Sequence, residues 1–199
     1  SRGLGDVYKR QGVCNAGLED LDTVIASKKP LTNQLPYNLL WRMIETDILP
    51  RCNDENIGVL VYSPLMHGML ADNYQSSADV PDGRARSRHF TTERPLARHG
   101  EPGCEIETFA ALDQIREIVK EAGRTMADIS LAWTIHQPGI VSVIAGARNS
   151  EQLLQNLSFL ENPLSDDVVE KLNQATEALR IALGPNPDMW DGGANSRYR

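Results

Sequence analysis

The chain has 199 residues, a formal net charge of -7, and 41% hydrophobic and 24% charged side chains, enough for one domain with a real core. The acidic balance disfavours a nucleic-acid or anionic-membrane partner, no apolar run approaches the length that spans a bilayer, and no signal-type h-region opens the sequence. Three widely separated cysteines, Cys14, Cys52 and Cys104, argue against a disulfide framework and for a reducing, cytoplasmic setting.

The first segment, Ser1 to Gln11, is basic and has neither helical nor strand periodicity. It reads as the translation of a transposon-type sequencing adapter, whose codons GAT GTG TAT AAG AGA CAG give Asp6 through Gln11. The expectation is that the natural protein continues upstream of Gly12. From there short strands alternate with helices. Gly12 to Asn15 reads as a strand and Leu18 to Lys28 as a helix with Leu18, Leu21, Val24 and Ile25 on one face. Thr32 to Leu35 is the next strand. Ile44 to Asn56 is helical, interrupted or ended near Pro50. Gly58 to Tyr62 is a near-continuous apolar run, as expected for a strand buried on both faces of a parallel sheet.

Asp72 to Gly103 is long, polar and rich in Arg, Gly and Pro, the composition of a functional or disordered loop. Its Arg84, Arg86, Arg88, Arg94, Arg98, His89 and His99 suit either a lid over a ligand or a solvated, mobile loop. Ile106 to Ala122 is an amphipathic helix with Phe109, Leu112, Ile115, Ile118 and Val119 on one face. Thr125 with Asp128 fits a capping box opening a helix from Ala127 to His136. Ile140 to Ile144 reads as a second buried strand. Asn149 or Ser150 caps a helix from Glu151 to Leu160, and Ser165-Asp166-Asp167 caps one from Val168 to Leu183. The tail from Gly184 to Arg199 reads as irregular. The result is an α/β chain of about four strand–helix units, half of the eight in a TIM barrel, with a doubly wound sheet as the alternative.

In such folds ligands bind at the carboxyl ends of the strands, so polar residues just after buried strands carry weight. Ala145-Gly146-Ala147 before a helix start allows close backbone approach and offers free N–H groups to phosphate. Arg148 adds a planar cationic fork. Tyr62 at a strand end can stack on a flat heterocycle, and the amides of Asn15 and Gln34 can both donate and accept. Taken singly, the turn at Gly146 reads equally well as an ordinary strand–helix turn, whereas Tyr62 reads more readily as a core or rim tyrosine and Asn15 and Gln34 as a turn residue and a strand end. Trp133 reads as core, and Trp41 as packing or as a face of a substrate opening. No HExxH, Cys/His ligand spacing, Walker A loop, GxGxxG or serine elbow is present.

Three segments occur in order: Gln34-Leu35-Pro36-Tyr37-Asn38-Leu39-Leu40, then Ile57-Gly58-Val59-Leu60-Val61-Tyr62-Ser63-Pro64-Leu65, then Val143-Ile144-Ala145-Gly146-Ala147-Arg148-Asn149-Ser150-Glu151-Gln152-Leu153 through Asn156. Together they resemble the aldo-keto reductase superfamily, especially its bacterial branch related to potassium-channel β-subunits. The resemblance covers Gly12 to about Leu183. It implies the C-terminal half of a (β/α)8 barrel that binds NADP(H) and reduces a small-molecule aldehyde or ketone. By that resemblance Asn15 and Gln34 hold the nicotinamide carboxamide and Tyr62 stacks on the ring. Ser63 and Leu65 lie by the pyrophosphate, Gly146, Arg148 and Asn149 around the adenosine phosphate, and Gln152 and Asn156 on the adenine side. The sequence departs from the family pattern at Cys14, usually serine; at Asp72-Asn73-Tyr74, often Gly-Lys-Tyr; and at Gln155, often acidic. The family's catalytic Tyr, Lys, Asp and His precede the strand ending at Asn15, so no catalytic residue is assigned, and Tyr37, Tyr62 and Tyr74 are not recruited. Alternative readings are an NADPH-binding regulatory subunit and a nonfunctional truncated fragment.

Overall fold

The computed structural model describes residues 10–191 and 196–199. Residues 1–9 of the segment read as adapter-derived lie outside the described residues, and the carbonyl of Gln11 accepts from Leu31 N at 2.8 Å. Four parallel strands form one sheet in sequence order: β1 (Gly12–Cys14), β2 (Thr32–Pro36), β3 (Gly58–Tyr62) and β4 (Ile140–Val143). Between and after them run α1 (Leu18–Lys28), α2 (Ile48–Asp54), α3 (Glu105–Ala122), α4 (Met126–His136), α5 (Ser150–Leu157) and α6 (Asp166–Leu183). The strand order steps in one direction without the reversal that marks a doubly wound sheet.

The strands are buried on one face only, which corrects the expectation for Gly58–Tyr62 and Ile140–Ile144. Val59 and Val61 face the helices and are fully buried, whereas Gly58, Leu60 and Tyr62 are half-buried. In β4, Val141 and Ser142 are exposed. An apolar run thus signals a buried strand but does not say whether both of its faces are covered. Beneath the sheet the core gathers Leu21, Leu35, Ile48, Cys52, Ile129 and Trp133. Helix α4 is buried almost all round, from Asp128 through Thr134, as befits a helix wedged between layers. Helix α6 buries Val169, Leu172, Ala175, Thr176, Leu179 and Leu183 at helical spacing and packs on α3.

Several boundaries differ from the sequence expectations for physical reasons. The break in the second helical stretch falls before Pro50. A 3-10 turn covers Met43–Glu45, Asp47 caps α2 by accepting from Ile48 N, and Pro50 sits in the first turn of α2, where its missing N–H has no intrahelical role. Thr125 caps α4 by accepting from Asp128 N, but the reciprocal half of the box is absent: Asp128 binds Arg124 and Ser158 instead. α5 ends at Leu157 and tightens into a 3-10 turn at Ser158–Leu160. Ser165 flanks α6 without a side-chain cap bond.

The loop between β3 and α3 is bolted to the body rather than hung over it. Val80, Ala85, Ser87, Arg88, His89 and Phe90 are all buried. Arg88 is the bolt. Its guanidinium donates to the carbonyls of Leu183 at 2.7 Å and Asn186 at 2.8 Å, pairs with Glu101 at 2.8 Å, and lies over the Trp41 ring. His89 reaches Leu40 O at 2.9 Å through one ring nitrogen and Ser87 Oγ at 3.0 Å through the other. Trp41 is fully buried in this packing and faces no opening. Trp133 is core, with its N–H donating to Asn173 Oδ1 at 2.9 Å.

Two outcomes follow from this anchor. Arg88→Ala leaves two buried carbonyls without donors and should cost about 3 kcal/mol, seen in urea unfolding as a lower midpoint at unchanged slope. Burial holds the His89 imidazole down to about 4, against an ordinary 6.5. The unfolded chain therefore takes up a proton that the folded chain refuses until about pH 4. Stability is full above the ordinary histidine pKa and falls as pH drops through that window. Urea midpoints measured from about pH 7 to about pH 4.5 should decline, and His89→Gln should flatten the slope without removing it, because His67 is likewise held down to about 4.

Candidate functional site

The carboxyl ends of β1, β2 and β3 bring three of the sequence-predicted residues together. β1 and β2 pair with Cys14 opposite Gln34, and Asn15 N donates to Gln34 O at 3.0 Å. Asn15 itself sits at φ 55, in the left-handed region that asparagine tolerates. The Tyr62 hydroxyl donates to Asn15 Oδ1 at 2.9 Å, so the aromatic ring at the end of β3 is tethered to the amide at the end of β1. Burial raises the Tyr62 hydroxyl above its usual range, and the ring stays a neutral apolar surface at ordinary pH.

Two buried asparagines, Asn33 and Asn38, to which the sequence assigned no role, hold this rim in shape. Asn33 donates to Ala16 O at 2.9 Å and accepts from Ala16 N, pinning the turn that carries Asn15. Asn38 donates to Ser63 O at 3.0 Å and accepts from Leu40 N at 2.9 Å, pinning the turn after Tyr62. The signal that could have found the first is a polar amide at a strand position whose side chain faces the core, as at Asn33. Below them Tyr37, Glu45 and Arg42 form a closed network: the Tyr37 hydroxyl donates to Glu45 Oε1 at 2.6 Å and Arg42 to both carboxylate oxygens of Glu45.

The second part of the site is a groove of about 1320 Å³ between the turn after β3, the start of α4 and the turn after β4. Its lining includes Ser63, Leu65, Gly146, Arg148, Gln152 and Asn156, six of the ten residues that the resemblance assigns to a cofactor. The turn after β3 is tightly wound, with Ser63, Met66, His67 and Asp72 all at positive φ. Glycine suits position 68, whose φ of 98 lies in a region that residues with a Cβ rarely adopt. At Gly146 nothing lies within 4 Å of where a Cβ would stand, so this stretch of backbone is open to the groove.

The roles of the remaining predicted residues are more local. Asn149 caps α5, accepting from Gln152 N at 2.8 Å, so its side chain is committed to the helix. Gln152 accepts from Arg148 N at 2.9 Å and Asn156 donates to Gly146 O at 3.1 Å. Both brace the turn after β4 while facing the groove.

The groove is cationic in a chain that is acidic as a whole. Arg84, Arg116, Lys120, Arg124 and Arg148 line it. Arg116 is tied to Asp72 and Asp113, and Arg124 to Asp128. Arg84, Lys120 and Arg148 have no ion pair among the described residues. His67 also lines the groove, and its Nδ1 is buried without a hydrogen-bond partner; burial and the nearby Arg84 and Arg86 keep the ring neutral. Of the loop arginines, Arg84 lines the groove; Arg86 lies over Trp190, Arg88 is the anchor and Arg94 pairs with Asp82 and Glu105. No cluster of three His, Cys, Asp or Glu side chains suited to a metal occurs among the described residues. No helix described is long and apolar enough to cross a membrane.

Comparison with known proteins agrees with this geometry. A model of the aldo/keto reductase family matches residues 6–177, beginning inside the segment read as foreign. An aldo-keto reductase of Pseudocercospora fijiensis (strain CIRAD86) is 30% identical over 190 residues, covering 89% of this chain and 63% of the relative. A putative voltage-gated potassium channel subunit beta of Schizosaccharomyces pombe is 29% identical over 148 residues, covering 73% of this chain and 42% of the relative. An NADH-specific methylglyoxal reductase of Escherichia coli is 31% identical over 146 residues, with 73% and 42% covered. The chain spans about half the length of the relatives it matches. With the family model spanning most of its residues, the chain belongs to the aldo/keto reductase family.

Proposed function

We propose that the chain is the cofactor-binding C-terminal half of a (β/α)8 reductase that uses NADP(H) to reduce small aldehydes or ketones. One observation carries this reading. The groove at the carboxyl ends of β3 and β4 gathers unpaired cations, an open glycine turn and the first turns of α4 and α5. Helix N-termini and free cations are what a run of phosphates requires, and a volume of about 1320 Å³ has room for an extended dinucleotide. The partnerless Nδ1 of His67 is a further polar atom in that lining awaiting a ligand.

On this reading Arg148 faces the ribose 2′-phosphate through its fork of donors, and Arg84 and Lys120 neutralise the pyrophosphate. Tyr62 offers its ring to the nicotinamide, and the amides of Asn15 and Gln34 hold the carboxamide. The bound nicotinamide supplies hydride to a carbonyl carbon. The proton donor and its partners belong to the part of the family sequence that precedes Asn15. Of the tyrosines described, Tyr37 is buried on Glu45 and Tyr62 is bonded to Asn15. The reading also keeps Ser1–Gln11 as adapter-derived.

Titration of the nicotinamide fluorescence separates the phosphate role from general binding. Arg148→Ala should weaken NADPH about tenfold or more while leaving NADH nearly unchanged; equal weakening of both would remove the 2′-phosphate assignment. Reading the source DNA across the Gln11–Gly12 junction should reveal an in-frame upstream half with Asp, Tyr, Lys and His at strand ends. An open frame that truly starts at Ser1 would overturn the reductase activity.

A further inference from the structure

The end of the chain lies on the amide rim. Tyr198 is buried, and its hydroxyl donates to Asn15 Oδ1 at 2.8 Å. Its neighbours hold it there. Arg197 N donates to the fully buried Asp188 at 2.9 Å and its guanidinium pairs with the same carboxylate. The carbonyl of Arg199 accepts from Asp20 N at 3.0 Å in the first turn of α1. Gly17 is packed so closely on Arg199 that a Cβ there would meet Arg199 O at 2.4 Å. The rim and this segment are therefore one fitted surface, joined by side-chain and backbone bonds on both sides of Asn15.

The consequence lies in how an amide can be satisfied. A side-chain amide has one oxygen with two lone pairs and one NH₂ with two donors. Asn15 Oδ1 already receives two hydroxyls, Tyr62 and Tyr198, so its acceptor side is saturated. Both hydroxyls donate to this oxygen; the reversed amide would donate Nδ2–H to them and leave their own protons without an acceptor on Asn15, so the observed orientation is the one that satisfies both. The Nδ2 amino group is then the end left to meet a ligand, as a donor only. A carboxamide ligand would present its carbonyl oxygen to Asn15. Its own NH₂ would be left for the oxygen of Gln34 on the neighbouring strand, which stands opposite Cys14 in the β1–β2 register.

We propose that Tyr198 is a positioning residue for the cofactor: together with Tyr62 it locks the Asn15 amide in the orientation that donates to the carbonyl oxygen of the nicotinamide carboxamide. This rests on the cofactor reading above and adds to it a residue from the tail. Tyr198 touches Asn15 and acts through it. Replacing it by phenylalanine keeps the ring that fills the space and removes only the hydroxyl, so one lone pair of Oδ1 is freed and the amide is no longer held to a single orientation.

The test uses two ligands on the same chain: NADPH, which spans both ends of the site, and adenosine 2′,5′-bisphosphate, which carries only the phosphate and adenine end. Tyr198→Phe should weaken NADPH about fivefold, the effect of one neutral hydrogen bond, and leave the bisphosphate unchanged. A purely structural role for the tail would move both ligands together or neither, and either result would overturn the proposal. Tighter NADPH binding in the variant would also overturn it, by showing that the tail competes with the nicotinamide. If the unaltered chain binds neither ligand, the cofactor reading falls and this proposal with it; if it binds both and only the difference is missing, this proposal falls alone. A measurement without ligand reads the contact directly: the side-chain NH₂ resonances of Asn15 should shift in Tyr198→Phe, and unmoved resonances would show that the hydroxyl does not hold the amide.

Discussion

Every feature of the site depends on all four strands running the same way in sequence order. Parallel pairing with helical crossovers puts every strand's carboxyl end, and every following helix's amino end, along one rim. Residues separated by more than a hundred positions, such as Asn15 and Asn156, thereby lie along one edge of the molecule. The same arrangement makes the rim polar and electropositive without a long basic sequence. The N–H groups at the starts of α4 and α5 are oriented there by the fold, and Arg84, Lys120 and Arg148, without carboxylate partners among the described residues, are added to them. A net charge of -7 therefore says little about the local field that a ligand would meet.

The rim would not keep its shape without buried polar contacts beneath it. Asn33 and Asn38 each satisfy backbone groups of a turn that has no regular partner, so the strained positive-φ residues Asn15 and Ser63 are held by hydrogen bonds rather than by packing alone. Arg88 does the equivalent for the long loop. It joins the carboxyl end of α6 to the loop through carbonyls that would otherwise be buried and unmatched. A loop with this many arginines looks like a solvated lid in sequence. Arg88 is an anchor, Arg94 forms ion pairs and Arg86 makes a ring contact, while Arg84 lines the groove.

This division explains what was legible in the sequence. Strand and helix identity followed from apolar periodicity, which depends on neighbours a few residues apart. The turn after β4 was legible because small residues followed by a cap residue have a local meaning: Gly146 does leave open space and Asn149 does cap α5. The burial of one strand face, the fate of each loop arginine and the role of Tyr198 were not legible, because each depends on a partner far along the chain. Tyr198 is bonded to a residue 183 positions away. Nothing in an irregular tail rich in Pro, Gly and Asn marks one tyrosine as different from another. Gln152 and Asn156 show a milder form of the same limit: their helical spacing put them correctly on one face, but not that they brace the turn as well as face the groove.

The two ends of the site obey different physics, and the departures from the family pattern weigh differently at each. Charge acts over several ångströms and does not depend sharply on angle. On the proposed reading, a cation lacking at Asn73 could therefore be supplied by Arg84, which lines the same groove. Hydrogen bonding to an amide is short-ranged and directional. With Cys14 in place of the serine usual in the family, a good donor is lost from the rim, and no distant group can replace it. On the proposed cofactor reading, recognition of a carboxamide would fall on Asn15 and Gln34, and Asn15 could share it only if its amide points one way. An acceptor loaded by two hydroxyls would meet that requirement.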